Sequence, residues 1–358
     1  MNSVNQNFFG TRLKLARKMA GMSLQDLSDK LKNMVAKQSI NKYEQGLMNP
    51  TSEVLLEISK ALNVKPDYFL KKNVLELKDI SFRKKADLSK KAEDSIIEQA
   101  RDYIERFMEI ETIFNLKTVF NNPLKRFNIT NKNDAELAAD KLREVWKLGN
   151  DPVPNIVEML ELKGIKVLLI NYGDEIDGLS FLTSNGNPVV VVNSHSKPTE
   201  RLRFTIIHEL AHLLLTFDDN VQVEPKQIEK LCHYFSSCFL IPSKMLIKMI
   251  GGQHRSYINI KELIGIKEYY GISIRAIVHR LTELEVITQS YYQRWMIFMS
   301  KTYGQKDEPG KYVSEEKQKV FEQLVNRALA EELISLSKAA SLLNVDINEL
   351  RKGNVNVR

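Results

Sequence analysis

The stretch "RFTIIHELAHLLLTF", residues 203–217, places two histidines four positions apart, with a glutamate directly after the first. Apolar residues flank them on nearly every side, so the pattern predicts a helix buried in a core. On that helix His208 and His212 project from one face, about 40° apart. Two neutral imidazoles on one face form a preset pair of ligands for Zn²⁺. Glu209 can take a proton from the attacking water and deliver it to a leaving amine, so we predict a metallopeptidase site.

Catalytic zinc usually takes three protein ligands, so one more must come from elsewhere in the chain. The segment "EPKQIEKLCHYFSSCFLIP", residues 224–242, is predicted to form a second helix after the turn "DDNVQV". On this helix Glu229, Cys232 and His233 share one face, and spacing alone does not choose among them. The remaining histidines of the chain are His195, His254 and His279.

Short β-branched runs come before the histidine helix and predict a small sheet. The runs are "IKVLLI", "GLSFLT" and "PVVVVN", and the Asn185-Gly186 pair between the last two is a strong hairpin signal. A strand of this kind suits a peptide substrate that binds as an added β-strand. Asp177 could lie near the end of such a strand, but a simple turn residue is the favoured interpretation.

The first 72 residues carry twelve Lys and Arg residues against six Asp and Glu residues, in a chain whose net charge is +7. This concentration of positive charge indicates an anionic partner, most simply nucleic acid. Short helices are predicted across residues 8–70; Gly21 ends the first, and Ser23 with Asp26 begins the second as a capping box. Two short helices joined by a tight turn in a small basic bundle predict a helix-turn-helix.

The segment "MSLQDLSDKL…KQSINKYEQGLMNPTSEVLLEISKALNV" resembles the Xre/Cro-type repressor domain. The resemblance implies that "KQSINKYEQG" is the recognition helix and that the partner is a double-stranded DNA operator. Gln and Asn can bond base edges, Lys can reach guanine or phosphate, and Gln25 at the start of the preceding helix is predicted to meet a phosphate. The turn "KNMVA" is longer than the family usually shows, which affects how the recognition helix enters the groove. The residues predicted to face DNA on that helix are Lys37, Gln38, Ser39, Asn41 and Lys42, with Ile40 and Tyr43 inward.

The run "RLRFTIIHELAHLLL…IEKLCHYFSSCFLIP" resembles the ImmA/IrrE family of zinc-dependent endopeptidases, and the resemblance spans roughly residues 135–245. It implies a gluzincin-like site in which His208, His212 and Glu229 hold Zn²⁺. The family tends to carry Asn at the position of His233. His233 could donate a hydrogen bond to a metal ligand, or it could compete as a ligand itself. The residue that stabilises the oxyanion stays open, with His233, Tyr234 and, less favoured, His195 as candidates.

The predicted fold class is α+β and predominantly helical, with four segments. Residues 1–75 form an all-α helix-turn-helix DNA-binding domain, and 76–130 form a helical linker that begins with the basic run at 82–87. Residues 131–250 form a zincin-like peptidase core with a small sheet and the HExxH helix, and 251–358 form a helical region. The linker carries an apolar stripe that either docks on the catalytic domain or pairs with a second copy, as in a homodimer. Residues 301–312 are predicted to be a further linker, and "ISLSKAASLLNVDINELRK" has a helix-turn-helix rhythm that favours packing or dimerisation over a second DNA contact.

Composition narrows the cellular setting. No apolar run approaches the length of a membrane span, and the N-terminus "MNSVNQNFF" lacks the pattern of a signal peptide. The two cysteines, Cys232 and Cys238, lie within one helical pattern and do not suggest a disulfide framework. We therefore expect a cytoplasmic protein without a membrane partner.

Two functional hypotheses follow. The first is a DNA-binding transcriptional regulator that carries a zinc endopeptidase and cleaves a partner protein, in stress or mobile-element responses. Its substrate would be a helix-turn-helix repressor, the chain's own linker or a neighbouring toxin. The second is an antitoxin-like or autoregulatory repressor whose zincin-like domain only binds proteins. The presence of Glu209 argues against the second, because a purely structural site needs no general base.

Overall fold

The computed structural model describes residues 7–72, 74–77, 88–116, 120–173, 176–217 and 224–353. The predicted turn at 218–223 and the basic run at 82–87 lie outside the described residues. The helices are α1 (Phe8–Met19), α2 (Leu24–Lys30), α3 (Lys37–Glu44), α4 (Ser52–Leu62), α5 (Lys90–Ile113), α6 (Lys132–Val145), α7 (Ile156–Leu162), α8 (Thr199–Leu214), α9 (Pro225–Leu240), α10 (Ser243–Ile250), α11 (Ile260–Tyr270), α12 (Ile274–Glu283), α13 (Gln289–Tyr303), α14 (Lys319–Ala330), α15 (Leu336–Leu343) and α16 (Ile347–Gly353). The strands are β1 (Asn128–Ile129), β2 (Lys166–Ile170), β3 (Gly178–Leu182), β4 (Pro188–Asn193) and β5 (Thr216–Phe217), and a 3-10 helix spans Pro66–Leu70.

These elements confirm the mostly helical α+β fold, and they form two compact units. Unit 1 comprises Met1–Lys78, Lys84–Thr118 and Lys319–Arg358, and unit 2 comprises Asp79–Arg83 and Val119–Gln318. Along the chain, the main part of unit 2, Val119–Gln318, is therefore inserted between α5 and α14. The boundaries predicted at 75, 130 and 250 divide the chain differently and stay predictions. No helix among the described residues is both long and apolar enough to cross a bilayer.

The first helices of unit 1 pack tightly around the carboxyl end of α3. A Cβ atom at Gly10 would lie 2.4 Å from the Tyr43 carbonyl oxygen, so α1 can approach α3 this closely only at a glycine. Arg17 on α1 makes a bidentate ion pair with Glu44: its Nε and Nη2 atoms donate to the two carboxylate oxygens at 2.6 and 2.9 Å. The capping box predicted at Ser23 and Asp26 is confirmed at the start of α2. The buried core of this bundle includes Leu13, Leu27, Ile40, Ile58 and Phe69.

The apolar stripe of α5 packs against α1 and α14 within unit 1. Phe107 of α5 stacks on Phe321 of α14 with ring centroids 5.3 Å apart. Arg12, only 1% exposed, bonds Glu105 of α5 at 2.6 Å. The last helices of the chain therefore complete the same unit as the first. The stripe residues, all buried, are Ile96, Ala100, Tyr103, Phe107 and Ile110.

Unit 2 contains a three-stranded sheet in the order β2-β4-β3. β4 is parallel to β2 and antiparallel to β3, which confirms the predicted hairpin. Gly186 in the hairpin turn has φ +78°, a conformation that favours glycine. Every residue of β4 is buried, as expected for a central strand whose apolar run is covered on both faces. α8 packs against β3, β4 and α9, and α9 also packs against α6.

Residues 304–318, here called the strap, are bound to unit 2, whereas part of this segment was predicted to be a linker. Glu316 pairs with the buried Arg203 of α8 at 2.5 Å and also accepts a hydrogen bond from the Val157 amide at the start of α7. Glu308 accepts hydrogen bonds from the first amides of α12. Tyr312 lies over the Arg203 guanidinium at 4.7 Å. Carboxylates at helix N-termini and a buried arginine thus hold a segment without regular structure.

Candidate metal centre and nucleic-acid interface

Three predicted metal-ligand atoms converge between α8 and α9. The Nε2 atoms of His208 and His212 are 3.0 Å apart. Glu229 Oε2 lies 3.1 Å from His208 Nε2, and Glu229 Oε1 lies 3.6 Å from His212 Nε2. α8 presents both histidines on one face because four residues make just over one turn. The structure therefore brings the two histidines and Glu229 together at one point.

These separations suit a tetrahedral zinc ion. Ligand atoms about 2.0–2.1 Å from zinc at the tetrahedral angle lie about 3.4 Å from one another. The donor set, two imidazoles and a carboxylate, is also one that catalytic zinc uses. The His212 side chain is 3% exposed, whereas that of Glu229 is 42% exposed, so the centre opens to solvent on the Glu229 side. The residues present therefore fit a zinc ion with one open position.

The outer nitrogens of the two histidines have different surroundings. His212 Nδ1 lies 3.0 Å from the sulfur of Cys232, which is fully buried. Such a contact fixes the orientation of an imidazole that binds metal through its other nitrogen. His208 Nδ1 is buried and has no hydrogen-bond partner among the described residues. Cys232 was one of three candidates for the third metal ligand. It contacts the outer nitrogen of the predicted ligand His212 instead.

Glu209, the predicted general base, lies against the edge strand β3. Its Oε2 atom accepts a hydrogen bond of 2.9 Å from the Ser180 hydroxyl. A Cβ atom at Gly178 would come within 3.0 Å of Glu209 Cγ and of the Val191 carbonyl oxygen. Only a glycine at this position leaves room for the Glu209 side chain. The carboxylate is thus held between α8 and β3, and the residue is 6% exposed.

His233 lies beside the predicted metal ligand His208, whereas Tyr234 contacts Glu136. The His233 ring stacks on His208 with centroids 4.3 Å apart and on Phe204 at 5.6 Å. Although one edge of the ring is open to solvent, burial of its faces and the neighbouring His208 lower the pKa of His233 to about 4. Tyr234 turns to the other side of α9, where its hydroxyl donates to Glu136 at 2.9 Å, and burial raises the Tyr234 pKa.

Two other candidates make local contacts of their own. His195 Nδ1 lies 2.6 Å from the side-chain oxygen of Asn171. Asp177 pairs with Lys197 at 2.8 Å and with Arg201 at 3.2 Å. These ion pairs stabilise the segment that contains Asp177, which agrees with its interpretation as a turn residue.

β3 forms an edge of its sheet. Its one strand neighbour among the described residues is β4, so the opposite edge presents backbone N–H and C=O groups. Gly178 and Ser180, which contact Glu209, lie on this same strand. A peptide added at that edge would therefore run alongside the candidate general base.

The recognition helix predicted in unit 1 is α3, and its polar residues face outward. Ile40 and Tyr43 point into the bundle core, at 0% and 7% exposure. The turn before α3 contains two residues in the left-handed region, Lys32 and Asn33, and is anchored by the Ser28 hydroxyl on the Val35 carbonyl. The predicted DNA-facing residues Lys37, Gln38, Asn41 and Lys42 are exposed and Ser39 is half-buried, while Gln25, exposed at the start of α2, bonds Asp29.

Gly178 and Ser180 were missed as site residues by reasoning from the sequence. Their signal was the spacing in "DGLSF": residues two apart on a strand face the same side. That a glycine and a serine share the face turned toward the histidine helix becomes visible only once β3 is placed beside α8.

Two family models match the chain. The helix-turn-helix model matches residues 13–69, and the peptidase M78 model, described as the IrrE N-terminal-like domain, matches residues 160–282. The chain is also 30% identical, over 93 residues, to the HTH-type transcriptional regulator ImmR of Bacillus subtilis (strain 168). That alignment covers 26% of this chain and 68% of the relative. The two matched regions contain α3 and the α8–α9 pair.

Proposed function

Because this chain belongs to the Xre-type helix-turn-helix regulators and carries an IrrE N-terminal-like peptidase domain, we propose that it binds DNA and also acts as a zinc-dependent endopeptidase. The observation that carries the peptidase half is the convergence of the His208, His212 and Glu229 ligand atoms beside Glu209. A helix with two inward histidines and a neighbouring carboxylate supplies both a metal site and a base.

Peptide hydrolysis at this site requires metal binding, proton transfer and positioning of the base, and different residues of the chain have these roles. A zinc ion bound by His208, His212 and Glu229 would supply the Lewis acidity that this reaction needs at neutral pH. Glu209 accepts the proton of the attacking water and returns it to the leaving amine. The Ser180 hydroxyl holds the Glu209 carboxylate on the β3 side of α8. This contact limits the positions from which the carboxylate can reach the water.

The edge of β3 is the proposed place for the peptide. Backbone hydrogen bonds to an edge strand bind an extended segment with little dependence on its side chains. An extended segment bound there would lie parallel or antiparallel to the strand that carries Gly178 and Ser180. The scissile bond would then be presented to Glu209 by the strand that also fixes Glu209.

The proposed substrate is a protein that acts in gene control. The helix-turn-helix in the same chain would bring the peptidase to DNA, where repressors are concentrated. A separate helix-turn-helix repressor is therefore the first candidate substrate. A segment of this chain and a toxin from a neighbouring gene are the other two.

Substitution of Glu209 by Gln tests the peptidase half. We expect the zinc-loaded Glu209→Gln protein to keep about one zinc per chain but to cleave candidate repressors about 10²–10⁴-fold more slowly. Glu144→Gln, an exposed position on α6 of the same unit, is the matched control and should cleave at the wild-type rate. Cleavage would be followed by gel electrophoresis, and the regulated gene's output would be measured in the same strains. Full output from the Glu209→Gln strain would favour the binding-scaffold function and reject proteolysis.

Alanine substitutions on α3 test the DNA half. Replacing Lys37, Gln38 and Asn41 together should abolish binding to an operator selected with the wild-type chain from random DNA, because each exposed side chain can contact a base or a phosphate. Circular dichroism should be unchanged, since none of the three is part of the core. Lys60→Ala on α4 is the control. Binding retained by the triple variant would show that α3 does not read the operator.

A further inference from the structure

A third imidazole lies at the candidate metal centre, in addition to the two on α8. His233 follows Glu229 by four residues on α9, so both side chains project from one face of that helix. One ligand atom each from His208, Glu229 and His233 can be chosen so that all three lie within 4.8 Å of one another. These residues form a metal-binding group in their own right, which overlaps the proposed zinc site.

The surroundings of His233 hold its ring beside the centre. The His233 ring stacks on Phe204 at 5.6 Å with an interplanar angle of 23°, and on His208 at 4.3 Å with an angle of 29°. These two ring contacts place His233 beside the proposed metal ligand His208. Ligand atoms of His208, Glu229 and His233 lie within 4.8 Å of one another, whereas tetrahedral ligand atoms lie about 3.4 Å apart, so the His233 nitrogen must move closer to bind the same ion. A change in the His233 side-chain torsions provides such a shift.

A fourth protein ligand would change the character of the site. A zinc ion with four protein ligands is closed, as in structural sites, whereas a catalytic ion keeps one position open for water or substrate. His208, His212 and Glu229 leave that one position, and His233 is a further donor whose ligand atom groups with those of His208 and Glu229.

We propose that His233 is a fourth, displaceable zinc ligand that closes the metal centre until substrate binding displaces it. This inference rests on the proposed zinc site and adds its regulation. In the closed form, water has no position on the ion, and peptide bonds are not cut. When a substrate is bound along β3, the His233 nitrogen would leave the ion and the ring would return to its place on Phe204, which would free one position for the attacking water or the substrate carbonyl oxygen.

Zinc X-ray absorption on the full-length, zinc-loaded chain tests the proposal. The expected count is three imidazoles per zinc in the wild type and two in His233→Phe, which keeps an aromatic ring against Phe204 and His208 but removes the nitrogens. His195→Phe, at an exposed histidine bonded to Asn171, should still give three. Zinc affinity, from competition with a chelator, should fall at least about tenfold in His233→Phe and stay constant in the control. His233→Asn is the second variant, should the phenylalanine variant fail to fold by circular dichroism.

Displacement is tested with acetohydroxamate, a small chelating group that presents two oxygens to zinc. Saturating the wild type should lower the imidazole count from three to two. Two imidazoles in the untreated wild type, with an affinity equal to that of His233→Phe, would overturn the inference but leave the proposed site intact. Three imidazoles that persist under saturating acetohydroxamate would also overturn it, because the site would be permanently closed. A chain that binds no zinc would reject the proposed function itself.

Discussion

α3 in unit 1 and the α8–α9 pair in unit 2 both carry polar functional groups, but they carry them in opposite surroundings. On α3 the side chains proposed to bind DNA are exposed, and the residues that hold the helix face the other way. On α8 the side chains of His212, a proposed metal ligand, and of Glu209, the proposed base, are buried next to the core residues of unit 2. On α3 the residues proposed to bind DNA are therefore different from those that stabilise the fold. On α8 the residues of the proposed site are themselves buried in the region that stabilises unit 2. Substitutions should separate the two properties in unit 1 and mix them in unit 2.

Loss of the Arg203 side chain should give the largest effect. Arg203 lies on α8 itself, 1% exposed, and its partner Glu316 would be left buried and unpaired. We expect Arg203→Met to lower the free energy of unfolding of unit 2 by about 3–5 kcal/mol. Both tryptophans, Trp146 and Trp295, belong to unit 2, so their fluorescence during urea unfolding reports on it.

Two further variants complete this experiment. Arg294→Met, at an exposed position of α13, should change stability by no more than about 0.5 kcal/mol. Replacing Glu316 by Gln as well as Arg203 by Met should recover part of the loss, since no unpaired charge then remains buried. A loss below about 1 kcal/mol for Arg203→Met would show that the strap does not stabilise α8.

A methyl group at Gly178 should have the next largest effect. Its Cβ would meet the Glu209 side chain and the Val191 carbonyl at 3.0 Å, so Gly178→Ala should destabilise unit 2 by about 1–3 kcal/mol. The shift of Glu209 should also lower peptidase activity. Gly265→Ala on α11 is the opposite case, because no atom lies within 4 Å of its added Cβ, and it should stabilise by up to about 1 kcal/mol. The same sign for both variants in urea unfolding would contradict this account of the β3–α8 contact.

The contact between Cys232 and His212 should have a smaller effect, confined to the metal. Cys232→Ala removes the outer partner of a ligand and should weaken zinc binding about 10–100-fold in competition with a chelator. Cys238→Ala removes another buried thiol from the same helix and should leave zinc affinity unchanged. An equal loss in both variants would mean that packing of α9, rather than the sulfur contact, sets the affinity.

On α3 the expected change in stability is the smallest. Lys37→Ala should alter the free energy of unfolding by no more than about 0.5 kcal/mol, since the side chain is exposed. It should also reduce the slope of log affinity against log salt by about 1, as expected for one lost phosphate contact. An unchanged slope would place Lys37 away from the DNA backbone.

Local patterns predicted most of the secondary structure around both sites. Helical periodicity indicated α3, α8 and α9, and the Asn185-Gly186 pair indicated the β3–β4 hairpin, because these features depend on residues close in sequence. The contacts between distant residues could not be predicted in this way. Phe107 stacks on Phe321 and Arg203 pairs with Glu316, each across more than a hundred residues of chain, and a single sequence contains no signal for such pairings.

The same distinction applies within the candidate site. His208 and His212 are four residues apart, and helix geometry alone then places both side chains on one face. The sequence is therefore sufficient to predict that they lie together. The Ser180 and Cys232 contacts depend on how β3 and α9 lie against α8. The linker prediction at 301–312 failed for a similar reason. Its Gly, Pro and Lys content is typical of a free connection, and the carboxylates that bind the strap find their partners only in the folded unit.

The insertion of unit 2 between α5 and α14 has a consequence for any cleavage of this chain. A cut between residues 116 and 120 would produce two fragments, yet the first would keep α5 and the second would keep α14. The packing of Phe107 on Phe321 joins those helices within unit 1. Such a cut would nick the protein without releasing either piece: denaturing gels would show two bands, and the native mass would stay that of one chain. Detachment of the DNA-binding bundle from the peptidase would require a second cut, before α14, or the unfolding of unit 1.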